Sequence, residues 1–253
     1  MMTKITPEIA EICGAFIGDG WVETRGNAIY ITGHPKEDKE YFDNNLSPLF
    51  SKNFQKVSPR AYSYWGVYGF GLYKKEVINR IIELGMQKGN KASTVKFPKW
   101  AFSSKKIMKS ILRGLFDTDG CVSCEKNYSL KNPKYHTKIK IHIVSISPNL
   151  IKEANKILNK LEIKNFIKKP YQQKQKNCKL SHRIVIDGGI NVDKWFKLIG
   201  SSNPKHITKY QIWKKYNFCP PFTTLDERKR ILNGENPYNY YECGRQGSNL
   251  RRH

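Results

Sequence analysis

Apolar positions along this chain fall into two registers, and the two registers alternate in the same order twice. Pro7 to Phe16 repeats at helical spacing, opened by Thr6 as a cap and Pro7 at the first helical position. Trp21 to Arg25 and Ala28 to His34 then read as a hairpin turning on Arg25-Gly26-Asn27, with Ile29 and Ile31 alternating against Tyr30, Thr32 and His34. Pro35 to Phe50 returns to helical spacing through Tyr41, Leu46, Leu49 and Phe50. Phe54 to Leu72 predicts a second hairpin, and Lys74 to Leu84 a helix stopped by Gly85. The unit is αββαββα.

The order then starts again. Lys105 to Phe116 predicts a helix, and Ile139, Ile141 and Ile143 alternate with Lys138, Lys140 and His142 in a strand. Pro148 to Leu161 predicts a helix, Phe166 to Tyr171 and His182 to Asp187 strands, and Val192 to Ile199 a helix. Asp19 and Asp119 lie 100 residues apart, while Leu84 to Thr94 lies over Leu198 to Thr208 without a gap at an offset of 114. The extra length falls in the polar stretch Glu125 to Thr137, a longer hairpin tip in the second half. Periodicity therefore predicts two copies of one unit, residues 1–97 and 105–217, joined by a short linker at 98–104. Tyr210 to Tyr216 and Thr224 to Leu232 continue as helices, and residues 218–253 are expected to end in a frayed tail.

Each copy opens on a small-residue apolar run that ends in Asp-Gly. The first is Ile12-Cys13-Gly14-Ala15-Phe16-Ile17-Gly18-Asp19-Gly20, the second Leu112-Arg113-Gly114-Leu115-Phe116-Asp117-Thr118-Asp119-Gly120. Gly14 and Gly114 would let two helices press backbone to backbone, which brings Asp19 and Asp119 together. A lone Asp-Gly is usually a helix-ending turn. Two of them, each opening the same repeat, point instead to a pair of hard oxygen ligands for a divalent cation held against a phosphodiester.

These runs resemble the two signatures of a single-chain LAGLIDADG homing endonuclease. The second copy matches closely; the first carries Ile17 where the family has an acid. The resemblance covers roughly residues 7–217. It implies an α+β fold in which two pseudo-symmetric αββαββα repeats form a saddle of antiparallel sheets around a central two-helix interface. It also implies Mg²⁺ or another divalent cation such as Mn²⁺ on Asp19 and Asp119, with the carbonyls of Gly18 and Thr118 assisting, and cleavage of both DNA strands to leave short 3′ overhangs. The family places a basic residue near each cut; repeat symmetry assigns that role to Lys91 and Lys205. His34 in the first half, and Ser145 or Ser147 in the second, end the second strand, where the family often places a polar side chain near the metal.

Charge supports a polyanionic partner. Lys and Arg number 45 against 21 Asp and Glu, a formal +24. An antiparallel ribbon fits the major groove, so the polar sheet faces are the candidate DNA readers. In the first half these are Arg25, Tyr30, Thr32, His34, Arg60 and Tyr62; in the second, Lys138, Lys140, His142, Lys168, Lys169, Tyr171 and Arg183. Arg suits guanine, and most Lys suit phosphate. No apolar run reaches membrane-span length, so an intracellular protein with thiol cysteines is expected; the resemblance to the single-chain form implies a monomer. A zinc site on Cys121, Cys124, Cys178 and His182 is the weaker reading, because Cys121 and Cys124 fall at strand spacing. Two other functions are compatible with the fold: an RNA maturase acting on its own intron, and a regulator that binds DNA without cutting. Both are disfavoured by the presence of both acids.

Overall fold

A computed structural model describes residues 4–129, 134–172 and 179–241. Helix α1 (Pro7–Asp19) starts where Thr6 accepts a hydrogen bond from the Ile9 amide at 3.3 Å. It leads into β1 (Gly20–Val22) and β2 (Ile29–Gly33). Helix α2 (Lys39–Tyr41) runs through a π-helical stretch, Phe42–Leu46, into α3 (Ser47–Asn53). Strands β3 (Arg60–Tyr62) and β4 (Val67–Leu72) and helix α4 (Lys75–Glu83) complete the first repeat. A 3₁₀ turn, Lys99–Phe102, links the halves.

The second repeat holds α5 (Lys105–Asp119), β5 (Gly120–Glu125), β6 (Lys138–Ser145), α6 (Pro148–Lys160), β7 (Phe166–Tyr171), β8 (Ser181–Asp187) and α7 (Gly189–Leu198). Helices α8 (Pro204–Tyr216) and α9 (Leu225–Leu232) follow. The two sheets are four-stranded and antiparallel, in the orders β1-β2-β4-β3 and β5-β6-β8-β7. Equal strand order in the two halves is the duplicated unit expected from the offsets.

The halves meet along α1 and α5. A Cβ on Gly14 would collide with the Ile111 carbonyl, and a Cβ on Gly114 with the Glu11 carbonyl. The pairs are related by the same 100-residue offset, so one contact is made twice about an approximate two-fold axis. Only glycine permits this approach. The core built around the two helices is continuous through both repeats, from Phe16 and Ile31 to Ile141 and Trp195.

The structure corrects four expectations. First, the helical spacing traced to Phe16 and Phe116 is extended: α1 and α5 run on to Asp19 and Asp119, ending on the Asp-Gly pairs as the signatures imply. Second, residues 34–38 form a turn instead of opening a helix at Pro35. The His34 ring accepts from the amides of Lys36 and Glu37, and Asp38 accepts from the His34 amide at 2.9 Å. Third, α8 begins at Pro204, capped by Asn203, rather than near Tyr210. Fourth, the segment after α9 is anchored as far as residue 241: Tyr238 and Tyr241 pack on Tyr135 and Phe218. The remainder of the expected tail lies outside the described residues.

Candidate active site

Asp19 and Asp119 end the two central helices side by side. The carboxyl carbon of Asp119 stands 3.2 Å from where a Cβ on Gly18 would be. Thr118 fills the space a side chain at Gly18 would need, and its hydroxyl donates back to the carbonyls of Gly114 and Leu115. The sequence pair Gly18/Thr118 is thus a small residue facing a larger one across the axis.

Burial raises both acids above the ordinary carboxylate range. Burial, then the charge of Asp119 and of Asp38, push the Asp19 carboxyl up to about 7, with Lys205 and Lys91 pulling the other way. Burial likewise raises Asp119 to about 6, again opposed by Lys91 and Lys205. Buried carboxyls that repel each other favour either a proton or a cation between them. The donor set, two carboxylates plus helix-end carbonyls, is all hard oxygen. It suits Mg²⁺ or Mn²⁺, which keep water and substrate phosphate as further ligands.

The two lysines assigned by repeat symmetry both arrive here. Lys91 sits in a turn after α4. Its ammonium donates to the carbonyls of Phe16, Ile17 and Gly18 at 2.5, 2.6 and 2.9 Å, closing the negative end of α1. Burial lowers Lys91 to about 8, against the pull of Asp119 and Asp19. Lys205 lies in the first turn of α8. Its ammonium pairs with Asp38 at 2.7 Å and stands 3.5 Å from the Thr118 carbonyl. Gly18 and Thr118 therefore do offer carbonyls at this floor, each engaged by a lysine. Gly18, Lys91, Asp119 and Ser145 line one groove beside it.

Asp38 and Asn203 are site residues that the sequence reasoning missed. Asn203 donates to Asp38 at 2.7 Å and to the Asp117 carbonyl at 2.9 Å, and both residues are buried. Asp117, at the acidic position that is Ile17 in the first copy, is fully buried, and burial raises its carboxyl to about 7. It accepts from the Ser201 hydroxyl and the Ser202 amide at 2.5 and 2.8 Å. That acid pins the loop leading to Lys205 and lies away from the paired carboxyls. Ile17 packs in the core, so its departure from the family pattern leaves Asp19 untouched.

The sheet faces differ from expectation in detail. In the first sheet Tyr30 stacks on Trp21 at 5.7 Å and meets Tyr62, Trp65 and Tyr73 edge-on at 5.4–6.0 Å. Arg60 lies over Tyr62, Arg25 is exposed in the β1–β2 turn, and Thr32 is half-buried on the same face. His34 is exposed, with its ring nitrogen committed to the 34–38 turn rather than to the acids.

In the second sheet Lys138, Lys168, Lys169 and Tyr171 are exposed and Arg183 half-buried. Lys140 and His142 are corrections: both are buried. Lys140 pairs with Glu125, and His142 bonds Ser123 at 2.8 Å. Burial and the nearby cations hold the His142 ring down to about 4, hence neutral. Ser147 is also buried, as the N-cap of α6, with its hydroxyl on the Val95 carbonyl at 2.6 Å. Cys121 pairs in register with His142 and is exposed, whereas Cys124 is half-buried and hydrogen-bonds Cys219. Three residues apart on a strand, the two thiols point to opposite faces. Cys178 lies outside the described residues.

Comparison with known proteins agrees with this fold. Residues 106–200 match the LAGLIDADG-like domain. The fold is that of the two-domain LAGLIDADG homing endonucleases. A mesophilic variant of I-DmoI superposes with a TM-score of 0.51 over 77% of this chain and 95% of its own, at 14% identity. I-SmaMI bound to uncleavable DNA gives 0.53 over 85% and 89%, at 12% identity. The domain match thus falls on the second repeat, and the likeness of the whole chain to these enzymes is one of fold. In sequence it is also 27% identical, over 226 residues, to the replication factor C small subunit of Methanocaldococcus jannaschii. That alignment takes in 88% of this chain but only 11% of the relative, so this chain spans about a tenth of that protein's length.

Proposed function

We propose that this chain is a monomeric, intron-encoded, site-specific endonuclease. It hydrolyses both strands of duplex DNA at a long pseudo-symmetric site and leaves short 3′ overhangs. The observation that carries this reading is the meeting of Asp19, Asp119, Lys91 and Lys205 at one floor between two like sheets. The structure of an I-DmoI variant in complex with its target DNA and in the presence of Mn, of the same fold, supports a divalent cation as partner. Asp19 and Asp119 would hold such a cation, which would supply Lewis acidity and an activated water.

The chain's own residues divide the remaining work. Asp19 and Asp119 orient what binds between them, one nearer each strand. Lys91 and Lys205 place positive charge where the pentacoordinate phosphate gains negative charge. The helix-end carbonyls fix the acids' approach. Exposed cations of the second sheet and the aromatic face of the first grip the duplex on either side.

In vitro selection of cleaved sites from random duplexes with Mg²⁺ tests the reading. The expected product is a single long consensus cut on both strands. Failure to cut any duplex, with binding intact, would replace it with the non-cleaving regulator. One observation favours a second reading, an RNA maturase: Trp65 and Tyr73 are exposed and both pack on Tyr30, offering rings on which unpaired bases could stack. Tighter binding of the host intron RNA than of any selected duplex would bring that reading forward.

A further inference from the structure

The two lysines at the floor are held by different means, and this difference is built into the buried interior. Lys91 rests on three backbone carbonyls of its own half. Lys205 is held by a side chain of the other half: Asp38 takes its ammonium at 2.7 Å. One oxygen of Asp38 receives both Lys205 and the Asn203 amide, and the other receives the His34 amide, so the carboxylate is itself fixed from three sides. Asn203 also caps α8 by accepting from the Lys205 amide at 3.0 Å, and it ties back to Asp117. Among the described residues, nothing of this kind is repeated at the other centre. Aligning Pro35 with Pro148 sets Asp38 against Ile151, the offset of 114 sets Asn203 against Gly89, and the offset of 100 sets Asp117 against Ile17.

We propose that Asp38 is a positioning residue that holds Lys205 at the end of α5 from across the axis, making the two cutting centres unequal. This inference rests on the endonuclease reading. Without the carboxylate, Lys205 loses its only ion pair among the described residues and keeps only the longer-range pull of Asp19 and Asp119, while the three carbonyls under Lys91 are unaffected. A displaced ammonium no longer faces its phosphate, so one strand is cut more slowly and the other is not.

Wild type and Asp38→Asn are compared in single turnover with Mg²⁺ on a selected duplex whose strands carry different labels. Wild type is expected to nick one strand ahead of the other. The isosteric variant is expected to slow one strand about tenfold and leave the other within about twofold. Equal slowing of both strands, no change, or equal strand rates in wild type would overturn the proposal. Labelling of the metal-free protein with an amine-reactive reagent, read by mass spectrometry, gives a readout without cleavage. Lys205 should label several-fold faster in the variant, with Lys91 unchanged, because removing the tether exposes the amine more often. Unchanged Lys205 labelling would also overturn the proposal. A wild type that cuts no duplex would retire the endonuclease reading, and the labelling would still decide the role of Asp38.

Discussion

The first sheet turns aromatic rings outward where the second turns cations. Trp21, Tyr30, Tyr62, Trp65 and Tyr73 form one ring cluster; Lys138, Lys168 and Lys169, with half-buried Arg183, line the other sheet, beside the Lys140–Glu125 pair. Strand order and helix contact are nevertheless the same in both halves. Duplication has kept what the backbone needs and released what the surface does. The glycines and the acids belong to the first class, because close helix approach leaves little choice at the one, and the proposed cation site would leave little at the other. Ring or charge on a sheet face belongs to the second, because each half can meet its own stretch of ligand.

The comparison makes predictions of decreasing size. The largest concerns the shared floor. Asp19→Asn and Asp119→Asn should each reduce double-strand cleavage by about 100-fold or more, as loss of a metal ligand does. Duplex affinity should stay within a few-fold, measured by gel shift with Ca²⁺. A fully active Asp119→Asn protein would break the equivalence of the two acids. Next come the glycines. Gly14→Ala and Gly114→Ala should each cost about 1–3 kcal/mol or more of unfolding free energy, because the added methyl strikes backbone that cannot rotate away. Similar costs would confirm the symmetry of the contact; a neutral effect at either site would deny it.

The sheets themselves should separate under salt. Replacing Lys168 and Arg183 with Ala should lower the slope of log affinity against log salt by about 1 for each phosphate left unneutralised. Trp65→Ala should weaken binding with the slope unchanged, because no counterion is released by a ring. Equal slope changes from both sets would erase the distinction.

The smallest effect is on stability against pH. Asp19 and Asp119 titrate near 7 and 6 in the folded protein, above the ordinary carboxylate value. Between that value and about 7 the folded protein holds protons that the unfolded chain has released. Their contribution is therefore full at low pH and disappears as pH rises through the folded values. With chelator present, Asp19→Asn should flatten this fall in Tm and raise Tm at pH 8. Wild type with Mg²⁺ should gain most Tm above pH 7, where both carboxylates are free to bind it. An Asp19→Asn protein less stable than wild type at pH 8 without metal would contradict the repulsion between the acids.

Much of this site was legible along the chain because a repeat repeats its chemistry. Two Asp-Gly endings pointed to the acids, and the shared offset of Leu84–Thr94 and Leu198–Thr208 carried Lys91 onto Lys205. Asp38 and Asn203 were not legible. Their meaning depends on a contact 165 residues apart in sequence, made only once the halves close, and neither has a like residue at its repeat position. The burial of Lys140 and His142 escaped for a related reason. Period-two alternation assigns a residue to a face but not to a depth, and Glu125 and Ser123 on the neighbouring strand cover these two. The partners of Asp117, Ser201 and Ser202, were not legible either, because they lie 84 and 85 residues further along the chain.

The central claim is that one floor, shared by the two helix ends, binds the cation. Crystals grown with Mn²⁺ and a selected duplex test it most directly through anomalous scattering. The account predicts Mn²⁺ density within coordination distance of the carboxylates of Asp19 and Asp119, between the helix ends and the scissile phosphates. Ordered duplex with no Mn²⁺ at either acid, or Mn²⁺ held elsewhere on the chain, would contradict it.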